Sequence, residues 1–168
     1  MLRLFCLIGV GVGLLPLLYA PPAMADCTDL PRPGVNWRNC DLSRSDFPGI
    51  DVTGANMRGA TLSNSDLKDA NFSRIDGYRA RFVESILTGA VFDDASLTDA
   101  RFDRADLSGA SFRGVNARNS KYLFADLTNV DFTDANLRSA DFTGANLSGA
   151  TWTDGETICA EGSVGVCR

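Results

Sequence analysis

The sequence predicts an all-β solenoid, a chain wound into a four-sided coil with disulfide-linked caps at its two ends. Three observations carry that expectation. From Trp37 to Trp152 every fifth residue is large and apolar, Gly77 and Ala117 excepted, and 24 consecutive pentads fit without insertion or deletion, which dismisses a spacing accident. The residue two places before each of these is usually small, as in Ala145-Asn146-Leu147-Ser148-Gly149. Side chains twenty apart also sort by type.

A period of five matches neither the 3.6 of a helix nor the 2 of a flat strand, so the chain must turn steadily to keep these residues on one side. If each pentad forms one side of a square, the central residue and the one two before it point inward. The other three face water. Ala fills most of the small positions, Ser, Val, Ile or Cys fill the rest, and no charge enters them. Charged residues, Asn, Thr and Gly crowd the remaining three, as short turns whose backbones pair with neighbouring coils require.

Four pentads to a coil stack residues twenty apart. One column reads Trp37, Met57, Gly77, Leu97, Ala117, Leu137, and the next Leu42, Leu62, Phe82, Phe102, Tyr122, Phe142. The third reads Phe47, Leu67, Leu87, Leu107, Leu127, Leu147, and the fourth Val52, Phe72, Phe92, Phe112, Phe132, Trp152. The two Phe-rich columns therefore oppose each other. About six coils at the ~4.8 Å spacing of strands make a rod roughly 25–30 Å long.

These pentads resemble the pentapeptide-repeat family, whose motif is Ala, Asp or Asn, Leu or Phe, Ser or Thr, then any residue. The resemblance covers 35–154. It implies a right-handed quadrilateral β-helix, and the handedness comes from the resemblance alone.

Ahead of the repeats, Met1 and Arg3 lead into an apolar run from Leu4 to Tyr19 that closes in Pro21-Pro22-Ala23-Met24-Ala25. The run is short for a membrane span and holds glycines and a proline, so residues 1–25 read as a signal peptide cleaved before Asp26. A retained anchor is the weaker alternative. The organisation expected is a signal peptide at 1–25, an N-terminal cap at 26–34, the solenoid at 35–154 and a C-terminal cap at 155–168. Cleavage discards Cys6 and leaves Cys27, Cys40, Cys159 and Cys167, an even set in an exported chain, which reads as two disulfides. Of the three pairings, Cys27 with Cys40 and Cys159 with Cys167 is preferred because each pair sits at one end of the rod. A plain buried thiol at Cys40 is the alternative. A zinc site is disfavoured, since no close CxxC pair and no histidine is present. The compartment expected is the periplasm, with a thylakoid lumen or the extracellular space as alternatives and no stable membrane insertion after cleavage.

Loss of Arg3 with the leader turns the formal −5 of the full chain into −6. The charges are not evenly spread. Arg38, Arg58, Arg118 and Arg138 follow the Trp37 column, Arg81, Arg101 and Lys121 precede the Leu42 column, and Arg79 lies between, so eight of the 13 basic residues of the repeats gather at one edge. Asp46, Asp66, Asp106 and Asp126 stack on another. Like charges ~5 Å apart repel, so the basic column is a candidate binding edge for an acidic protein or envelope component. Freely drifting surface charge is the bland alternative. Nucleic acid is not expected as a ligand, given export and the net negative charge. Val83, Ile86, Leu123 and Phe124, with Val91 elsewhere, are apolar at outward positions, and the first four form a candidate contact patch for a protein partner or a homodimer. Singly exposed apolar residues are also ordinary.

Without histidine, the chain lacks the commonest general base and metal ligand. No phosphate loop or nucleophile motif is present, and an interior of Leu, Phe and Ala leaves no room for a cofactor. The expectation is therefore an exported, non-catalytic binding or structural module. The resemblance offers a second possibility, since family members linked to quinolone resistance mimic duplex DNA and bind DNA gyrase. A leader and a polarised charge distribution argue against it.

Overall fold

The computed structural model describes residues 27–168, and the signal-peptide expectation for 1–25 lies outside the described residues. From Asn36 onward each pentad contributes one parallel bridge to the residue twenty positions on, beginning with Asn36 to Asn56 and ending with Asp131 to Thr151. Twenty residues thus complete one circuit, and each pentad forms one side. The four faces are named first to fourth after the Trp37, Leu42, Phe47 and Val52 columns.

The sides are too short for extended strands, so the ladder consists of single bridges separated by turns. On each rung the central amide donates to the following coil, as Trp37 N does to the Asn56 carbonyl at 2.8 Å, and the preceding amide of that coil donates back, as Asn56 N does to the Val35 carbonyl at 2.9 Å. Corners close with the amide three residues past the centre, Cys40 N to the Trp37 carbonyl at 3.0 Å. The residue two past the centre takes a positive φ, 57° at Asn39 and 68° at Gly54, as the third residue of a type II turn must. Asn, Asp and Gly tolerate this, but Arg44, Arg74, Arg79, Glu84, Arg104 and Ser139 take it too, and Phe124, also at 57°, is the one aromatic residue among them.

The core is an aromatic ladder. Phe82, Phe102, Tyr122 and Phe142 stack at 5.0, 5.1 and 5.0 Å, and the opposed Phe72, Phe92 and Phe112 stack at 4.9 and 4.8 Å. The two ladders meet edge to face, Phe92 against Phe102 at 5.5 Å and 87°. Offset stacking along the rod and edge contacts across it are both favourable ring geometries. Neither exception in the first face leaves an indentation. A β-carbon at Gly77 would lie 2.8 Å from Leu97 Cδ2 and 3.3 Å from Ile75 Cδ1. Ile75, two places earlier at a position usually given to Ala, supplies the missing volume, and buried Val115 stands in the same relation to Ala117.

Both expected disulfides are present, Cys27 to Cys40 with Cα atoms 5.3 Å apart and Cys159 to Cys167 with 4.8 Å. At the C-terminal end the chain reverses and pairs antiparallel, Thr151 with Ile158 and Asn146 with Val164. This return covers the third and fourth faces. On the first two, the amides of Leu137, Ser139, Phe142 and Gly144 point beyond the last coil and donate no hydrogen bond among the described residues.

Candidate functional site

Alternation along the second face turns the residues flanking each inward ring outward. Arg81 is bridged to Arg101 and Arg101 to Lys121, which places three cations on successive rungs, about 5 Å apart by strand spacing. Among the described residues Arg101 is the one of the three in an ion pair. Its guanidinium grips Asp103, with Nε 2.9 Å from Oδ2. Asp103 is only 6% exposed, and its Oδ1 is buried without a hydrogen-bond partner. Burial of a carboxylate carries a large desolvation cost unless it is paired, which Arg101 provides.

Asp103 changes the picture of the apolar patch. Val83 and Leu123 share a column as expected, but the rung between them is Asp103, so the patch is not continuous. Ile86 lies around the corner on the third face, bridged to Asp66 and Asp106. What the fold does bring together is Leu123 and Phe124 with Arg101, Asp103 and Arg104, which line a groove of about 240 Å³. Arg101 of the expected basic edge therefore shares a groove with Leu123 and Phe124 of the expected apolar patch. Phe124 is 61% exposed, its ring lying close enough over Gly144 that a β-carbon there would clash with it. Arg104 reaches back to Glu84 at 3.4 Å.

A second cluster lies on the first face. Arg38, Arg58 and Tyr78 occupy successive rungs, and Arg79 adjoins Tyr78 at the corner. Arg58 and Arg79 both place their guanidinium carbons near the Tyr78 ring, at 4.6 and 4.9 Å from its centroid. These residues, with Asn39 and Gly59, line a concavity of about 150 Å³. Arg118 and Arg138 continue the column beyond Thr98 and stand apart from the cluster. Among the described residues, Arg38, Arg81, Arg118, Lys121 and Arg138 form no ion pair. Sequence reasoning missed Tyr78 and Asp103; the one available signal for Tyr78 was a ring in a column that otherwise reads Arg38, Arg58, Thr98, Arg118 and Arg138, and the mixed column of Asp103 offered none.

The acidic columns have a structural use. At most of the rungs that carry one, an Asp or Asn accepts the amide two residues on and often that residue's hydroxyl, as Asp51 does from Thr53 at 3.0 and 2.6 Å. This pinning of the turn explains the motif's pairing of Asp or Asn with Ser or Thr. Burial alone would raise the Asp106 carboxyl, but the hydroxyl and amide of Ser108, at 2.7 and 3.0 Å, and the Thr88 hydroxyl at 3.1 Å hold it below the usual carboxylate range. Asp93 accepts across the coil instead, from the Ser111 hydroxyl at 2.5 Å and the Arg113 amide at 3.2 Å. Among the described residues no group of three His, Cys, Asp or Glu side chains is placed to hold a metal, and no helix is long and apolar enough to cross a membrane.

The pentapeptide-repeats family model matches residues 38–74, 78–114 and 110–149, in eight copies. No curated protein matches the chain in sequence. Among solved structures, it is similar to a trypsin-treated form of QnrB1, a plasmid-mediated fluoroquinolone resistance protein, at 22% identity over 77% of this chain and 79% of that one, with a TM-score of 0.43. It is also similar to Rfr23 of the cyanobacterium Cyanothece 51142, at 24% identity over 71% and 88% with a TM-score of 0.36. A pentapeptide repeat protein of the Arabidopsis thaliana thylakoid lumen is similar at 20% identity over 74% and 85%, with a TM-score of 0.32. Because the repeat match takes in more than half of the sequence, the chain belongs to the pentapeptide-repeat family.

Proposed function

We propose that this chain is exported by a leader at 1–25 and works, outside the cytoplasm, as a non-catalytic rod that docks an acidic protein or envelope component on its basic edge. The rod is a right-handed β-helix of about six coils over 35–154, closed by caps at 26–34 and 155–168. The observation that carries this reading is the run of Arg81, Arg101 and Lys121 on bridged rungs of one face, beside a groove that also offers Leu123 and Phe124. The ladder does not need a cation at three successive rungs; Arg101 is balanced by buried Asp103, which leaves Arg81 and Lys121, on either side of it, as the charges the edge offers to a ligand. The rigid coil holds these side chains in fixed register, which lowers the conformational entropy lost on docking.

Two disulfides support an oxidising compartment, the periplasm first, a thylakoid lumen or the extracellular space second. A cytoplasmic, gyrase-directed duplex mimic is the weaker reading. It requires retention in a reducing compartment and an acidic surface, whereas the acids here concentrate on the third and fourth faces. The test is in-cell crosslinking of tagged protein, wild type against Arg81→Glu, Arg101→Glu, Lys121→Glu. The proposal expects a partner captured outside the cytoplasm by wild type and lost in the folded variant. Equal capture by both, or protein that keeps residues 1–25 in the cytoplasm, would overturn it; capture of a second copy would make the edge a dimer contact.

A further inference from the structure

We propose that the first face carries a phosphoryl-binding clamp, formed by Arg38, Arg58 and Arg79 around the ring of Tyr78. The inference rests on reading the basic edge as a binding surface and names the chemistry that one part of it takes.

The clamp is built rather than merely basic. An exposed arginine samples many rotamers and loses them on binding, which weakens most surface guanidinium sites. Here two guanidiniums share one aromatic ring at 4.6 and 4.9 Å, well inside the range of cation–π attraction. Each is also held from behind by a carboxylate of the next coil. Arg58 Nη1 donates to both oxygens of Asp76 at 3.2 and 3.1 Å, and Arg79 Nε lies 3.8 Å from Asp99 Oδ2. These contacts engage one nitrogen of each guanidinium. A guanidinium carries five N–H donors, so most donors of Arg58 and Arg79, and all those of the Arg38 side chain, remain available to a ligand.

The shape and charge fit the same ligand. The concavity of about 150 Å³ between these side chains has Gly59 in its floor, where a β-carbon would meet Asn39 Oδ1 at 2.5 Å. Three arginines against two carboxylates leave net positive charge, unlike Arg101, whose charge is cancelled by buried Asp103. One guanidinium fork suffices for a flat carboxylate. Arginines from two successive rungs and the corner of the next line this one concavity, a set of donors that suits a tetrahedral oxyanion presenting several oxygens at once. A phosphoryl group meets that requirement, whether as free phosphate or as the phosphate of a lipid headgroup.

The test titrates the disulfide-bonded chain lacking residues 1–25 with inorganic phosphate and follows the Tyr78 ring and arginine side-chain resonances by NMR. A parallel arm measures cosedimentation with phosphatidylcholine vesicles with and without phosphatidylglycerol. The clamp expects saturable shifts centred on Tyr78, weakened about tenfold or more by Arg58→Gln or Arg79→Gln, the scale of one charge-assisted hydrogen bond, with no change in thermal midpoint. Tyr78→Phe should retain binding because the ring face is what positions the arginines, whereas Tyr78→Thr should lose it. Arginine-dependent cosedimentation only with phosphatidylglycerol, without phosphate binding, would assign the clamp to a headgroup. Shifts that fail to saturate, persist in both arginine variants, or respond equally to Phe and Thr at position 78, with no arginine-dependent cosedimentation, overturn the clamp. Capture that still depends on Arg81, Arg101 and Lys121 in that event would leave the basic-edge reading standing.

Discussion

Inside the rod the second, third and fourth columns largely keep their residue type along the length; one residue away, on the outside, a column does not. Phe82, Phe102, Tyr122 and Phe142 are four aromatic rings in register, while the adjacent outward column runs Arg81, Arg101, Lys121 and then Asp141, and the one beyond it Val83, Asp103, Leu123, Thr143. The inner column has one pitch and one width to fill, so each ring dictates its neighbour. The outer column needs only to leave the turn intact. A surface run that nonetheless repeats, such as the three stacked cations, therefore calls for a cause other than packing.

The comparison is broken most forcefully from the inside. Phe102 touches rings on four sides, Phe82, Tyr122, Phe92 and Phe112, at 5.0, 5.1, 5.5 and 5.7 Å. Phe102→Ala is expected to cost about 3–5 kcal/mol in denaturant unfolding, whereas Arg81→Gln should change stability by less than about 0.5 kcal/mol. Equal effects would erase the distinction between the columns.

Next in size are the caps, which tie the ends of both kinds of column. The bridges span separations of 13 and 8 residues, and loop-closure entropy assigns each about 2–3 kcal/mol. Paired Cys→Ala replacement at Cys27 and Cys40 should lower the thermal midpoint without changing the β signal of circular dichroism, because Ala already fits the inward position that Cys40 occupies.

Inner and outer groups should also respond to opposite ends of the pH range. The depressed Asp106 and Asp131 carboxyls contribute stability that is present above the ordinary carboxylate value of about 4 and lost as pH falls through their lower folded values. Burial, against a small opposing effect of Ser120, pushes the Tyr122 phenol well above its usual value, so stability should fall as pH rises beyond about 10. Among the described residues the Tyr122 hydroxyl has no hydrogen-bond partner, and the nearby Ser120 hydroxyl donates instead to the Ala117 carbonyl at 2.6 Å. Tyr122→Phe should therefore abolish the alkaline branch and stabilise at neutral pH by about 1 kcal/mol. Denaturation midpoints across pH would show an unchanged alkaline branch if this assignment is wrong.

A small effect is also expected at Phe124, an aromatic side chain on an outer turn position of positive φ. Removing its ring gives up a contact over Gly144 but relieves a positive φ costing about 1 kcal/mol, so Phe124→Gly should change stability by less than about 1 kcal/mol. Partner capture should weaken in the same variant because the groove loses a wall.

Much of this molecule was legible in its sequence because the interior is one-dimensional. Once four pentads make a circuit, every inward residue acquires known neighbours, and the opposed aromatic ladders and the end-wise cysteine pairs follow. The compensation of Gly77 was not read there: the sequence left an indentation open, with Met57 and Leu97 as the neighbours to fill it, and Ile75, two residues before the gap, does so instead. The outer surface resisted the same treatment. Periodicity assigns Arg58, Arg101 and Leu123 to columns but not the direction in which a long side chain leans, so the grip of Arg101 on Asp103 and the sharing of Tyr78 by Arg58 and Arg79 were out of reach. The antiparallel return of 158–164 was also hidden, because it lies beyond the last pentad and obeys no repeat.

The most direct test of the central claim, that a twenty-residue circuit alone sets the register of every column, is deletion of residues 95–114 compared with deletion of 95–112. The first removes one circuit and joins Asp94 to Val115; the second shifts the frame by two residues. Cooperative unfolding with a native-like β spectrum in the first and its loss in the second is the result predicted. Collapse of both, or survival of both, would contradict the register.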